Sequence, residues 1–169
     1  MAHQHPVPFE VGSGTTEVSI QYRNQFSSGF PVSIAQSTPG IFTANLSGQG
    51  QAAAINDHNN AFSYNSASNP ASAGDYIEIY VTGAGQTSPA GVDGQPYAGP
   101  ASCVLPVKVT IGGVSESPQY CGGVPGQIAG LTQINVPVPA GLSPGLVPVT
   151  VTVGGVSAQS GVTVAVSGH

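Results

Sequence analysis

The sequence predicts an all-β fold, two layers of short strands joined by tight turns. Three observations predict it. Apolar and polar residues alternate over many short runs, Gly and Pro punctuate those runs, and one strand–turn–strand motif recurs along the chain. No segment holds a 3.6-residue rhythm, so essentially no helix is expected beyond a short turn.

The elements follow in order. Val18-Ser19-Ile20-Gln21-Tyr22 alternates, and so does Tyr76-Ile77-Glu78-Ile79-Tyr80-Val81, with Ile77, Ile79 and Val81 on one face. Val107–Ile111 and Val149–Val153 repeat the pattern, and Val162–Val166 supplies the closing strand. Val109-Thr110-Ile111-Gly112-Gly113-Val114-Ser115 returns as Val151-Thr152-Val153-Gly154-Gly155-Val156-Ser157. Gly-Gly between alternating runs supplies the positive φ angles of a two-residue hairpin turn.

A third, diverged copy is Ile20-Gln21-Tyr22-Arg23-Asn24-Gln25-Phe26-Ser27, with Arg23-Asn24 at the turn. It belongs to a longer repeat. Pro6-Val7-Pro8 precedes it as Pro137-Val138-Pro139 precedes the 149–153 run, and Ser28-Gly29-Phe30-Pro31-Val32-Ser33-Ile34 matches Ser160-Gly161-Val162-Thr163-Val164-Ala165-Val166. The expected division is therefore 37–169 as a complete sandwich and 1–36 as the closing strands of a partial unit, or an N-terminal arm. Two or three strands are marginal alone. Val18, Ile20, Tyr22, Val32 and Ile34 must then pack on the body or exchange with strands of another copy.

Composition narrows the function classes. The apolar fraction is 40%, too high and too β-branched for disorder despite 24 Gly and 15 Pro. Only Arg23 and Lys108 are basic, and the net charge is −5. Nucleic acid and anionic membrane surfaces both require clustered cations, so both are excluded. No apolar run reaches the roughly 18 residues of a membrane span. Met1-Ala2-His3-Gln4-His5 carries no signal-peptide core, so an export signal is expected outside this chain.

Cys103 and Cys121 are the only cysteines. Folding 104–111 onto 114–121 at Gly112-Gly113 brings them within about one rung, which predicts a disulfide and an oxidising compartment. Chemistry is harder to find. Gly141-Leu142-Ser143-Pro144-Gly145 fits G-x-S-x-G, but a Pro and then a strand follow Ser143 where a nucleophile elbow needs a helix. His3, His5, His58 and His169 read as solvent-exposed or tag-like, and Asn56-Asp57-His58-Asn59-Asn60 as a polar loop lacking the Asp-x-Asp spacing of a calcium loop. The acids Asp75, Glu78, Asp93 and Glu116 are scattered, with no pair set by spacing. Glu78 and Lys108 are expected to face solvent; the sharper alternative is an intramolecular isopeptide bond from Lys108 to an Asn, assisted by a buried Glu. Tyr76 and Tyr80 share a face with Glu78 and, with Tyr97, are the expected partner-contact residues. No catalytic residue, metal or cofactor is expected.

Taken in order, Pro39-Gly40-Ile41-Phe42-Thr43, Gly48-Gln49-Gly50-Gln51, Ile79-Tyr80-Val81-Thr82-Gly83-Ala84-Gly85, Val92-Asp93-Gly94, Gln133-Ile134-Asn135-Val136-Pro137 and the two Gly-Gly hairpins closely resemble the C-terminal domain of large secreted proteins of Solibacter-type acidobacteria. The likeness covers roughly 37–167, and the hairpins also resemble the IPT/TIG group of immunoglobulin-like domains. It implies an immunoglobulin-like β-sandwich, extracellular or at the cell surface, with no catalytic residues to carry over. Cysteines are not part of that pattern, so Cys103 and Cys121 read as a local addition. The expectation is a non-enzymatic structural or adhesion module acting by protein–protein contacts, including self-assembly by β-strand exchange through residues 1–36. The alternative is a carbohydrate-binding module of a larger secreted enzyme, contacting sugar through the 56–69 loops and Tyr97.

Overall fold

The computed structural model describes residues 8–9 and 11–168, and all regular structure among them is strand. In chain order the strands begin with β1 (Gly14–Val18), β2 (Gln21–Tyr22), β3 (Gln25–Phe26) and β4 (Phe30–Ile34). Then come β5 (Gly40–Ile41), β6 (Gly50–Gln51), β7 (Ala54–His58), β8 (Ala61–Tyr64), β9 (Tyr76–Thr82) and β10 (Thr87–Ser88). The remainder are β11 (Ala101–Cys103), β12 (Val107–Ile111), β13 (Val114–Glu116), β14 (Tyr120–Gly123), β15 (Thr132–Pro137), β16 (Gly145–Val153), β17 (Val156–Ser157) and β18 (Val162–Val166).

Residues from Ser37 onward form a β-sandwich. The larger sheet runs β10-β11-β14-β15-β9-β7-β8, with β5 on β9. The smaller runs β13-β12-β16-β18-β6, with β17 on β16. Alternation decides which side chains meet between them. Ile77, Ile79, Val81, Ile134 and Val136 from the larger sheet join Val109, Ile111, Val149, Val151, Val153 and Val164 from the smaller in one fully buried cluster. Branched side chains suit a strand because their χ1 is already restricted.

Two polar clamps tie the layers together. Asn65, buried after β8, donates through Nδ2 to Asn56 Oδ1 and to the Ala165 carbonyl, at 2.7 and 2.9 Å, while its Oδ1 accepts from the Ala165 amide at 2.8 Å. Gln159 sits between β17 and β18, donating through Nε2 to the Ile41 carbonyl and accepting from the Ile41 amide at Oε1. Each side chain therefore meets the main-chain amide and carbonyl of one residue at once, the Ala165 carbonyl accepting from the Ala71 amide as well.

The Cys103–Cys121 disulfide is formed, with a Cα–Cα separation of 5.4 Å. Its surroundings differ from the simple hairpin expected. Gly112-Gly113 does turn β12 into β13, pairing Val109 with Glu116 and Ile111 with Val114. β13 then stops, and Cys121 lies in β14, on the other sheet, where Ser102 pairs with Gly122. The two ladders differ by one residue in register. Pro106 and Pro118 stand at the break, where a missing N–H and a fixed φ end ladder pairing.

β1–β4 stand apart from both sheets. β1 pairs with β4, from Gly14↔Ile34 to Val18↔Phe30, and β2 pairs with β3 across a turn at Arg23-Asn24, both at positive φ. The continuous 18–22 strand expected from alternation is thus interrupted at Ser19-Ile20. The partner strand has one residue more over this interval, since Ile20 faces Ser27 while Val18 faces Phe30. This is a bulge, which bends and twists the ribbon. Both ends of the hairpin are rooted on the sandwich. The Phe9 amide donates to Asp93 Oδ1 at 3.2 Å, and the Thr38 amide donates to the Gly83 carbonyl at 2.9 Å.

Candidate interaction surfaces

The 14–34 hairpin reproduces, pair by pair, the β16–β18 hairpin of the sandwich. The turn residues Arg23 and Asn24 hold φ of 47° and 62°, where Gly154 and Gly155 hold 58° and 86°. Gly14 and Gly145, which open the two hairpins, have φ of 130° and 125°. The Ser27 amide donates to the Ile20 carbonyl at 2.9 Å just as the Ala158 amide donates to that of Val151 at 2.8 Å. Gln21↔Phe26 matches Thr152↔Ser157, and Thr16↔Val32 matches Val147↔Val164.

That correspondence assigns each apolar residue a counterpart. Val18, Ile20 and Tyr22 stand where Val149, Val151 and Val153 stand; Phe30, Val32 and Ile34 stand where Val162, Val164 and Val166 stand. The six valines are all buried in the core. In the hairpin Ile20, Tyr22 and Phe30 are each about 70% exposed (71, 68 and 69%), Val18 is 52% exposed, and Val32 and Ile34 are half-buried. Paired residues of antiparallel strands share a face, and the opposite face carries Thr15, Glu17, Pro31 and Ser33. The ribbon is amphipathic, and its apolar face meets water. Each such side chain left exposed forgoes roughly 1.5–3 kcal/mol of burial. Phe30 adds to the expected strand-exchange residues, as its alignment with Val162 in the repeat requires, whereas exposed Phe26, paired with Gln21, lies on the other face.

A second surface lies on the outer face of the larger sheet. Tyr76, Glu78 and Tyr80 project there from β9, as their alternation with Ile77, Ile79 and Val81 requires. Cross-strand neighbours add Ile55 and Asp57 from β7, Phe62 and Tyr64 from β8, and Gln133 and Asn135 from β15. Glu78, expected in solvent, is instead buried. The Tyr80 hydroxyl donates to its Oε2 at 3.1 Å, and Asn135 Nδ2 approaches Oε1 at 3.5 Å. Tyr76 and Tyr80 are half-buried by their neighbours, while Phe62 and Tyr64 are the exposed rings of the group.

Burial, the adjacent Glu78 carboxylate and the hydrogen bond to it push the Tyr80 hydroxyl up to about 12. The folded protein therefore holds this proton more tightly than the unfolded chain does. The contribution is intact below about pH 10, the usual tyrosine value, and is lost as pH rises through about 12. An absorbance titration of tyrosinate should show a late step near 12 that Tyr80→Phe removes.

Tyr97 is not a contact residue: it is buried, because β14 carries glycine beneath its ring. A Cβ on Gly123 would lie 2.2 Å from Tyr97 Cε2. The Thr87 hydroxyl donates to the Tyr97 hydroxyl at 3.3 Å.

The remaining polar residues have structural partners. His58 Nδ1 hydrogen-bonds Asp75 Oδ1, while Asp75 Oδ2 accepts from the Ser72 amide and Asp57 Oδ1 accepts from the Asn60 amide. Asp57 and Asp75 thus shape the β7–β8 turn and the entry to β9. Among the described residues no three His, Cys, Asp or Glu side chains are grouped closely enough to hold a metal. Asp93 caps Phe9, and Glu116 lies in the other sheet from Glu78. Lys108 is exposed on β12 opposite Thr152, in a different sheet from the buried Glu78, so Glu78 does not stand beside Lys108 to assist a Lys–Asn isopeptide bond. Ser143 is an exposed loop residue followed by β16, with no helix to form an elbow. His3, His5 and His169 lie outside the described residues.

Family models, curated proteins and solved structures were all compared with the chain, and none matches it.

Proposed function

We propose that the protein is a non-enzymatic structural or adhesion module that acts through protein–protein contacts, with the 14–34 hairpin as the contact element. The exposed apolar face of that hairpin, held out from a sandwich that already has its own closing strands, carries the reading. An extracellular or cell-surface setting fits the disulfide, which persists in oxidising compartments. Among the described residues no helix is long and apolar enough to cross a membrane. Free strand edges on both sides of the ribbon suit strand addition, and copies assembling by strand exchange into filaments is the form of the reading that requires no other protein.

Light scattering during size-exclusion chromatography tests it over a range of concentrations. The mass is expected to rise above the 16.8 kDa monomer, and a variant carrying Ile20→Lys and Phe30→Lys is expected to stay monomeric. A wild type that remains monomeric throughout, indistinguishable from the variant, removes self-assembly.

Carbohydrate binding within a larger secreted enzyme is the second reading. Its support moves from Tyr97 to the outer face of the larger sheet, where exposed Phe62 and Tyr64 on β8 stand beside Asp57 and Ile55 of β7. Retention on insoluble polysaccharide, lost in Phe62→Ala/Tyr64→Ala, is the expected result for that reading.

A further inference from the structure

We infer that the 14–34 hairpin is a closing hairpin for a second immunoglobulin-like unit that lacks its own, so that its partner is an unclosed sandwich of the same kind as residues 37–144. This rests on the reading of the hairpin as a contact element and names what it contacts. The sandwich itself displays such a hairpin in its occupied state, and the match between the two extends to turn angles, register and the six inward positions.

The occupied state specifies the partner. In the sandwich, the free side of β16 is covered by β12, antiparallel, from Val107↔Val153 to Ile111↔Val149. Among the described residues, the equivalent side of Val18–Tyr22 has no strand on it. The partner must present a β12-like strand there. On the other edge β6 runs parallel to β18, the Gly50 and Ala52 amides donating to the Gly161 and Thr163 carbonyls. Gly29 and Pro31 stand at these positions and can accept the same two bonds, but Pro31 has no N–H to return. The β12-like edge is therefore the principal one.

Two differences set this hairpin apart from β16–β18 and argue against an intact second copy as the acceptor. Tyr22 and Phe30 occupy positions held in the sandwich by Val153 and Val162, both fully buried, so entry into an identical slot overpacks both ends. The hairpin also lacks a counterpart to Gln159. Ser27 aligns with Ala158 and Ser28 with Ser160, which removes the side chain that clamps β5. An intact copy moreover already holds six valines in the slot. The natural acceptor is thus an open sandwich with more room opposite Tyr22 and Phe30, and no β5-like strand to engage.

Capture of an open sandwich tests this. The full chain is mixed with residues 37–144 of the same sequence, disulfide intact, diluted from urea as the probe. The expected product is a soluble 1:1 complex in which the amides of 18–22 become protected from hydrogen exchange. A full chain carrying Ile20→Asp and Val32→Asp should not form it, while melting at the wild-type temperature. Tyr22→Val/Phe30→Val, which restores the sandwich's own side-chain sizes, should bind the probe about tenfold more tightly than wild type. Failure of both the wild-type and the size-restored hairpin to capture the probe overturns the inference, as does capture that survives Ile20→Asp/Val32→Asp. If the full chain self-associates through the hairpin yet captures no probe, this inference falls and the contact reading stands. If the hairpin substitutions alter neither behaviour, both fall.

Discussion

Ile79→Ala is expected to destabilise the protein by about 3–4 kcal/mol, while Ile20→Ala changes stability by no more than about 0.5 kcal/mol. Both residues are isoleucines in alternating strands. Ile79 is fully buried between the sheets, paired with Ile134 on one side and Ala54 on the other. Truncating it removes several methyl and methylene groups and leaves a cavity that branched neighbours cannot collapse into. Ile20 projects from the hairpin into water, so truncation there takes away little that folding had buried. Urea unfolding measures both. Equal losses in the two variants would mean that the hairpin packs on the sandwich, and would contradict its exposed placement.

The second large effect is that of the disulfide. Cys103→Ser/Cys121→Ser is expected to lower stability by about 3 kcal/mol, since the bridge closes a loop with a sequence separation of 18 and restrains the unfolded chain accordingly. For a domain of this size that corresponds to roughly 6–12 °C in Tm. The loop includes the crossover in which the chain leaves β11 in the larger sheet, runs through β12 and β13 in the smaller, and returns at β14. Thermal unfolding with and without reductant is the check. A shift of under a degree or two would show that the crossover is already fixed by its ladders.

Much of the fold was legible because alternation is a strong signal when both sheets bury one face. Ile77, Ile79 and Val81 read as inward-facing and are. The Gly112-Gly113 and Gly154-Gly155 turns were equally plain, since only residues tolerant of positive φ fit a two-residue hairpin. The disulfide could be placed by counting from the first of these turns, although the chain changes sheet between tip and cysteines. Glu78 and Tyr97 were not legible. Burial of Glu78 depends on hydroxyl and amide groups arriving from its own strand and from β15, and burial of Tyr97 depends on the bare backbone at Gly123, in a strand over twenty residues away. Such environments arise only when strands distant in sequence are brought side by side. Tyr64 falls within the 56–69 stretch expected to contact sugar, but Phe62 beside it did not stand out: β8 is short, and its aromatic residues gain meaning only from their position at a sheet edge.

The turn at Arg23-Asn24 has a practical consequence. The chain contains two basic residues, and so two sites for trypsin. Lys108 lies within β12, paired with Thr152 of β16, and the β13 ladder begins at the next residue, Val109, so a protease would have to unzip the sheet to seat the 108–109 bond. Arg23 sits at the exposed tip of the projecting hairpin. Brief digestion should therefore nick the native protein once, after Arg23, with mass spectrometry finding residues 24–169 intact. An occupied hairpin should resist the nick, which makes a single peptide bond a reporter of whether this protein has met its partner.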